Sequence, residues 1–174
     1  MIERLFTECN KSCVEGIIES LAGSIGGKPS IAVREGAIYA NIAEDRIDLV
    51  SIRLTSDISE LMLSVIPDKA IPALEILGLK KVAELINRLK VLPSVIAISR
   101  IRTSRSLYII LQGRTGSEAF PNIKVVIREN YHEASASFCR ITPEENTCEF
   151  LYSLLKIARD LWAKIFKDIK RKQN

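Results

Sequence analysis

A chain of 174 residues and 19.4 kDa, 47% hydrophobic and 26% charged, is long enough to bury a core and too apolar to be disordered. No apolar run approaches the ~18 residues of a membrane span, and Glu3 and Glu8 stand where a signal peptide needs a basic and then an unbroken apolar stretch, so the expectation is cytoplasmic with no membrane role. The formal net charge of +4 hides an asymmetry: ten basic residues between Lys80 and Arg128 face only Glu84 and Glu118, a net of +8, whereas residues 1–79 sum to −5.

In chain order, Ser12 and Glu15 read as a capping box for a helix carrying Ile17, Ile18, Leu21 and Ile25 inward. Gly26-Gly27 and Pro29 stop it. Three strands are predicted next: SIAV, AIYANIA and IDLVSIRL. Asp57 and Glu60 read as a second capping box for a helix over Ile58, Leu61, Met62, Val65 and Ile66, interrupted at Pro67. Short helices follow at Ala70–Leu77 and Lys80–Leu92, the latter ended by Pro93. Residues 95–112 form a hairpin around TSRS, and IKVVIREN and HEASASFCRI are two further strands. Thr142-Pro143-Glu144-Glu145 starts a long last helix, reaching to about residue 170, with its basic residues at the C-terminal end.

The predicted fold class is α+β over a single domain of residues 1–174: an antiparallel sheet of about six to seven strands covered by helices, in the order α-βββ-ααα-ββββ-α with a long C-terminal helix. That order (helix, three strands, helix, strands, helix) also looks like the small dimeric secretion chaperones, a likeness of fold alone. In the last helix, Cys148, Leu151, Leu155, Ala158, Trp162 and Ile165 recur at spacings of three and four, and Phe150, Leu154, Ile157, Leu161 and Phe166 widen the stripe. Such a stripe serves either as one core helix or as a homodimer contact through Leu151, Leu155, Trp162 and Ile165. Isoleucine outnumbers leucine, and Gln112 and Gln173 are the only glutamines, a thermophile-like composition.

Little in the sequence names a catalytic chemistry. AGSIGGKP lacks the first glycine of a phosphate-binding loop and has Pro29 where a hydroxyl is needed, after a helix rather than a strand. Cys9 and Cys13 are spaced like half of a zinc site, but Cys139 and Cys148 do not complete it, leaving buried thiols or a disulfide as the alternatives. His132 is the only imidazole, so no Ser–His–Asp or Cys–His arrangement can be argued. The expectation is a non-catalytic protein without metal or cofactor.

What remains is the basic middle third. Alternation around TSRS puts Ile96, Ile98, Arg100, Arg102, Leu107, Ile109 and Leu111 on one face of the hairpin. Ala97, Ser99, Ile101, Tyr108, Ile110, Gln112 and Arg114 take the other. The expected site is a basic surface in which Arg100, Arg102 and Arg105 are exposed together at the turn, joined by Arg114, Lys124 and Arg128, with Tyr108 offering a ring for stacking. The expected partner is nucleic acid, held through its phosphates; the alternative is a chaperone-like or assembly subunit holding an acidic protein.

Overall fold

The computed structural model describes residues 1–114, 120–137 and 147–167. Its centre is one antiparallel sheet of eight strands that neighbour one another in chain order. They are β1 (Lys28–Arg34), β2 (Ala37–Glu44), β3 (Ile47–Leu54), β4 (Ile58–Ser64), β5 (Val95–Ile101), β6 (Ser106–Gln112), β7 (Ile123–Arg128) and β8 (Tyr131–Ala136). Helices α1 (Ile2–Thr7) and α2 (Lys11–Ile25) precede the sheet, α3 (Pro67–Ile76) and α4 (Lys80–Asn87) join β4 to β5, and α5 (Thr147–Trp162) ends in a π-helical turn, Ala163–Lys167.

The α+β class and the antiparallel sheet agree with the expectation; the strand count is larger, because residues 58–64 are β4 and not a helix. Ser59, Leu61 and Leu63 are buried while Ile58, Glu60, Met62 and Ser64 are not, a period of two. Pairing with β3 and β5 on either side overrides the helical spacing. Asp57 caps no helix: its carboxylate accepts from the Thr103 amide at 2.9 Å and its carbonyl accepts from the Arg102 amide at 2.9 Å, so it ties the end of β4 to the β5–β6 turn. Pro67 opens α3 at the first helical turn, where its missing N–H costs nothing.

Helix α2 starts at Lys11, capped by Asn10, whose side chain accepts from the Cys13 amide at 2.9 Å, two residues before the expected cap at Ser12. It stops at Gly26 as expected. The helix start at Thr142–Glu145 lies outside the described residues.

Side chains on one sheet face form continuous apolar rows. Pro29, Ile42, Val50, Leu63, Ile96, Leu111, Ile123 and Ala136 are cross-strand partners in sequence, as are Ile31, Ala40, Ile52, Leu61, Ile98, Ile109, Val125 and Ala134. Helix α2 packs over β1 and β2, α5 over β6 to β8, and α3 and α4 fill the space between them. Leu151, Trp162 and Ile165 are buried in this core and Leu155 packs against it, so the residues expected at a homodimer contact already belong to the protomer's own interior. The stripe is wide because α5 meets three strands on one side and α4 on another.

Cys9 and Cys13 form a disulfide that staples the α1–α2 corner; Cys139 lies outside the described residues, as does the side chain of Cys148. With only four residues of separation, the bond closes a short loop and removes little unfolded-chain entropy. Reduction is expected to lower the unfolding free energy by no more than about 2 kcal/mol, measured as the shift in urea midpoint with and without reductant. Among the described residues, no helix is long and apolar enough to cross a membrane.

Candidate functional site: basic groups on opposite faces of the sheet

The β5–β6 turn spans residues 102–105, with Ile101 opposite Ser106, Arg100 opposite Leu107 and Ile98 opposite Ile109. The register is thus two residues off the one expected from TSRS. A slip of two keeps every side chain on its face, so the predicted division of the hairpin holds: Ile96, Ile98, Leu107, Ile109 and Leu111 are buried, and Arg100 is buried with them.

Arg100 is the principal departure from the expected site. It sits within a third core row, Val33–Ile38–Leu54–Ser59–Arg100–Leu107–Ile127–His132, and is only 1% exposed. It is not part of an exposed surface; alternation along β5 directs it inward, and its charge does not reverse that. Its neighbour across β4, Ser59, is also buried. Burial lowers the Arg100 guanidinium to about 10, with Arg102 adding to the fall and Asp57 opposing it.

Arg105 is half-buried and shares that end of the core face. Its guanidinium lies 5.3 Å from the centre of the Phe166 ring and 6.0 Å from that of Trp162, whose indole N–H donates to the Arg105 carbonyl at 2.8 Å. That hydrogen bond and positive φ (50°) hold the turn under the π-helical end of α5. Arg102 is exposed, and its Nη2 donates to the Thr7 carbonyl at the end of α1 at 3.3 Å. Sequence reasoning did not find this Arg105–Trp162–Phe166 stack; the aromatic pair at spacing four on the last helix was the available signal.

On the other face, over which none of the described helices packs, lies a second group. Tyr108 of β6, half-buried, is bracketed by exposed Lys124 and Arg128 of β7. Lys124 Nζ stands 5.8 Å from the Tyr108 ring centre, and Arg128 Nη2 donates to the Tyr108 hydroxyl at 3.2 Å, which raises the Arg128 guanidinium further above its ordinary range. Around them the face is small or apolar: Ala97, Ser99 and Ile101 of β5, Ile110 of β6, Val126 of β7 and Met62 of β4. Arg53 is on this face too, but it is paired with Glu60 at 3.2 Å. Arg114 is exposed just beyond β6, at the end of the sheet away from the turn.

The seven expected site residues therefore divide: Arg100, Arg102 and Arg105 at the turn end of the core face, Tyr108, Lys124 and Arg128 on the open face, and Arg114 apart. Among the described residues, no group of three or more His, Cys, Asp or Glu side chains is placed to hold a metal ion. A cleft of about 550 Å³ between α1, α4 and α5 is lined by Glu3, Lys80, Lys81, Asp160 and Lys164 along with apolar side chains. Compared with protein-family models, with curated proteins and with solved structures, the chain matches none.

Proposed function

We propose that the open face of strands β5–β8 binds single-stranded nucleic acid, with Lys124 and Arg128 on phosphates and Tyr108 as the stacking platform. The observation that supports this reading is the bracketing of one half-buried aromatic ring by two exposed cations on a face that no described helix covers. Lys124 and Arg128 are four residues apart on one strand, about 13 Å at the usual rise, so they can hold backbone on either side of a base stacked at Tyr108. Such sites combine a positive track with aromatic faces and read little sequence. The net +8 of residues 80–128 adds long-range attraction for any polyanion.

Titration with single- and double-stranded oligonucleotides at several salt concentrations tests this. Binding is expected to be tighter for single strands and to weaken with salt, each phosphate contact contributing a slope of about 0.7 in log K against log salt. Lys124→Glu with Arg128→Glu is expected to abolish it, and Tyr108→Ala to weaken it by about 1–3 kcal/mol. Absence of binding at low salt overturns the reading. The flat apolar patch beside Tyr108, with Met62 40% exposed, favours a second reading in which this face holds an acidic protein. A stoichiometric protein recovered with the chain from its native source, free of nucleic acid, selects that one.

A further inference from the structure

A buried guanidinium without a counter-charge is among the least favourable arrangements in a protein interior, costing several-fold more than a buried neutral polar group. At the turn end of the core face Arg100 is such a group, and half-buried Arg105 has one edge in the same condition. Arg100 is 1% exposed, and both its Nε and its Nη2 are buried without a hydrogen-bond partner. Arg105 repeats the pattern: the same two atoms, Nε and Nη2, are buried and unpartnered. Those two atoms form one edge of a guanidinium, the edge that presents two parallel N–H groups to the oxygens of a carboxylate or phosphate.

Both edges lie at the turn end of the core face. Arg100 is opposite Leu107 near the end of the β5–β6 ladder, and Arg105 lies in the turn just before Ser106, its guanidinium against the Trp162 and Phe166 rings on the same side of the sheet. Asp57, just before β4, acts on Arg100 electrostatically, but its carboxylate oxygens are taken by the amide and hydroxyl of Thr103. Arg102, exposed at the rim, adds a third positive charge on the approach. The Trp162 and Phe166 rings close the site from α5 and lower its local dielectric, which strengthens a charge-assisted bond made there.

We infer that Arg100 and Arg105 form an internal oxyanion site that takes a small carboxylate or phosphate ligand on their paired Nε and Nη2 edges. The site lies on the opposite side of the sheet from Tyr108, Lys124 and Arg128, so it is independent of the open face. An anion there supplies acceptors to donors that are otherwise buried without partners and offsets their charge, and ligand binding is thereby coupled to stability.

Thermal unfolding in sodium phosphate, in sodium malonate and in sodium chloride at matched ionic strength tests the inference. For the wild type, phosphate, malonate or both are expected to raise Tm saturably by a few degrees beyond chloride. Which anion does so identifies the ligand class. Arg100→Met is expected to raise Tm in chloride, because a buried unpaired charge is replaced by an apolar chain of similar length, and to lose the saturable rise. Because phosphate also stabilises proteins by exclusion from their surfaces, the decisive quantity is the difference between wild type and Arg100→Met. Arg105→Gln provides the same comparison if Arg100→Met does not fold, and Lys124→Glu with Arg128→Glu is expected to leave the rise intact. Equal responses of wild type and the arginine variants, or no response of the wild type beyond chloride, overturn the inference.

Discussion

Trp162→Ala is expected to destabilise the fold by about 3–5 kcal/mol, the range for truncating a large aromatic in a core, read as a fall in the urea midpoint at unchanged slope. Three losses coincide at this residue. The indole is 6% exposed and stacks at 5.3 Å on Phe166 in a tilted arrangement. Its N–H holds the Arg105 carbonyl at 2.8 Å, so truncation also leaves a turn carbonyl without that donor. Its face is one wall over the Arg105 guanidinium, and a cavity there admits water to a charge that the native packing keeps dry. Trp162→Phe keeps the ring and loses the donor, and is expected to cost about 1–2 kcal/mol; a full-sized loss in that variant would show the hydrogen bond, not the packing, to be dominant.

Gly27→Ala is expected to cost about 3 kcal/mol, by a different route. Gly27 has φ +91°, a conformation that any L side chain adopts at a penalty of about 1–2 kcal/mol. An added Cβ would stand 2.6 Å from Ile42 Cγ2 and 3.2 Å from the Ala43 carbonyl, inside the β1–β2 pair that the glycine enters. Ile42 is fully buried, so relief requires moving a core side chain, about 1–3 kcal/mol more. Gly36→Ala separates the two contributions. Its φ is +79° but nothing lies within 4 Å of the added carbon, so only the conformational penalty is expected. Denaturant midpoints of the two variants should differ accordingly; equal values would mean the core yields freely at Ile42.

Much of the architecture was legible because period and punctuation agreed. Gly26-Gly27 ends α2, Glu35-Gly36 turns β1 into β2, and strict alternation assigns the faces of β5 and β6 even though the turn falls one residue earlier than TSRS and the register shifts by two. Residues 57–66 were ambiguous, since Ile58, Leu61, Met62 and Val65 suit a helix while Ser59, Leu61 and Leu63 suit a strand. Only the neighbouring strands decide between the two, and those are distant in sequence. The candidate site was less legible. Arg100 shares the Ile96–Ile98 face by parity, and alternation, not the preference of a guanidinium for solvent, decides its burial. The convergence of Lys124 and Arg128 on Tyr108 depends on β6–β7 register across a loop, which no local pattern specifies. The burial of Arg105 depends on where the far end of α5 comes to rest.

The strictly sequential strand order has a kinetic consequence. Seven pairings make up the sheet; β4 and β5 are separated by 30 residues, 65–94, which hold α3 and α4, and the other paired strands by two to ten residues. Closing a longer segment loses more chain entropy before any contact forms, so β1–β4 and β5–β8 can each zip up from local turns ahead of their junction. The mating of the halves, Leu61 against Ile98 at the middle of the β4–β5 ladder, then sets the pace of folding.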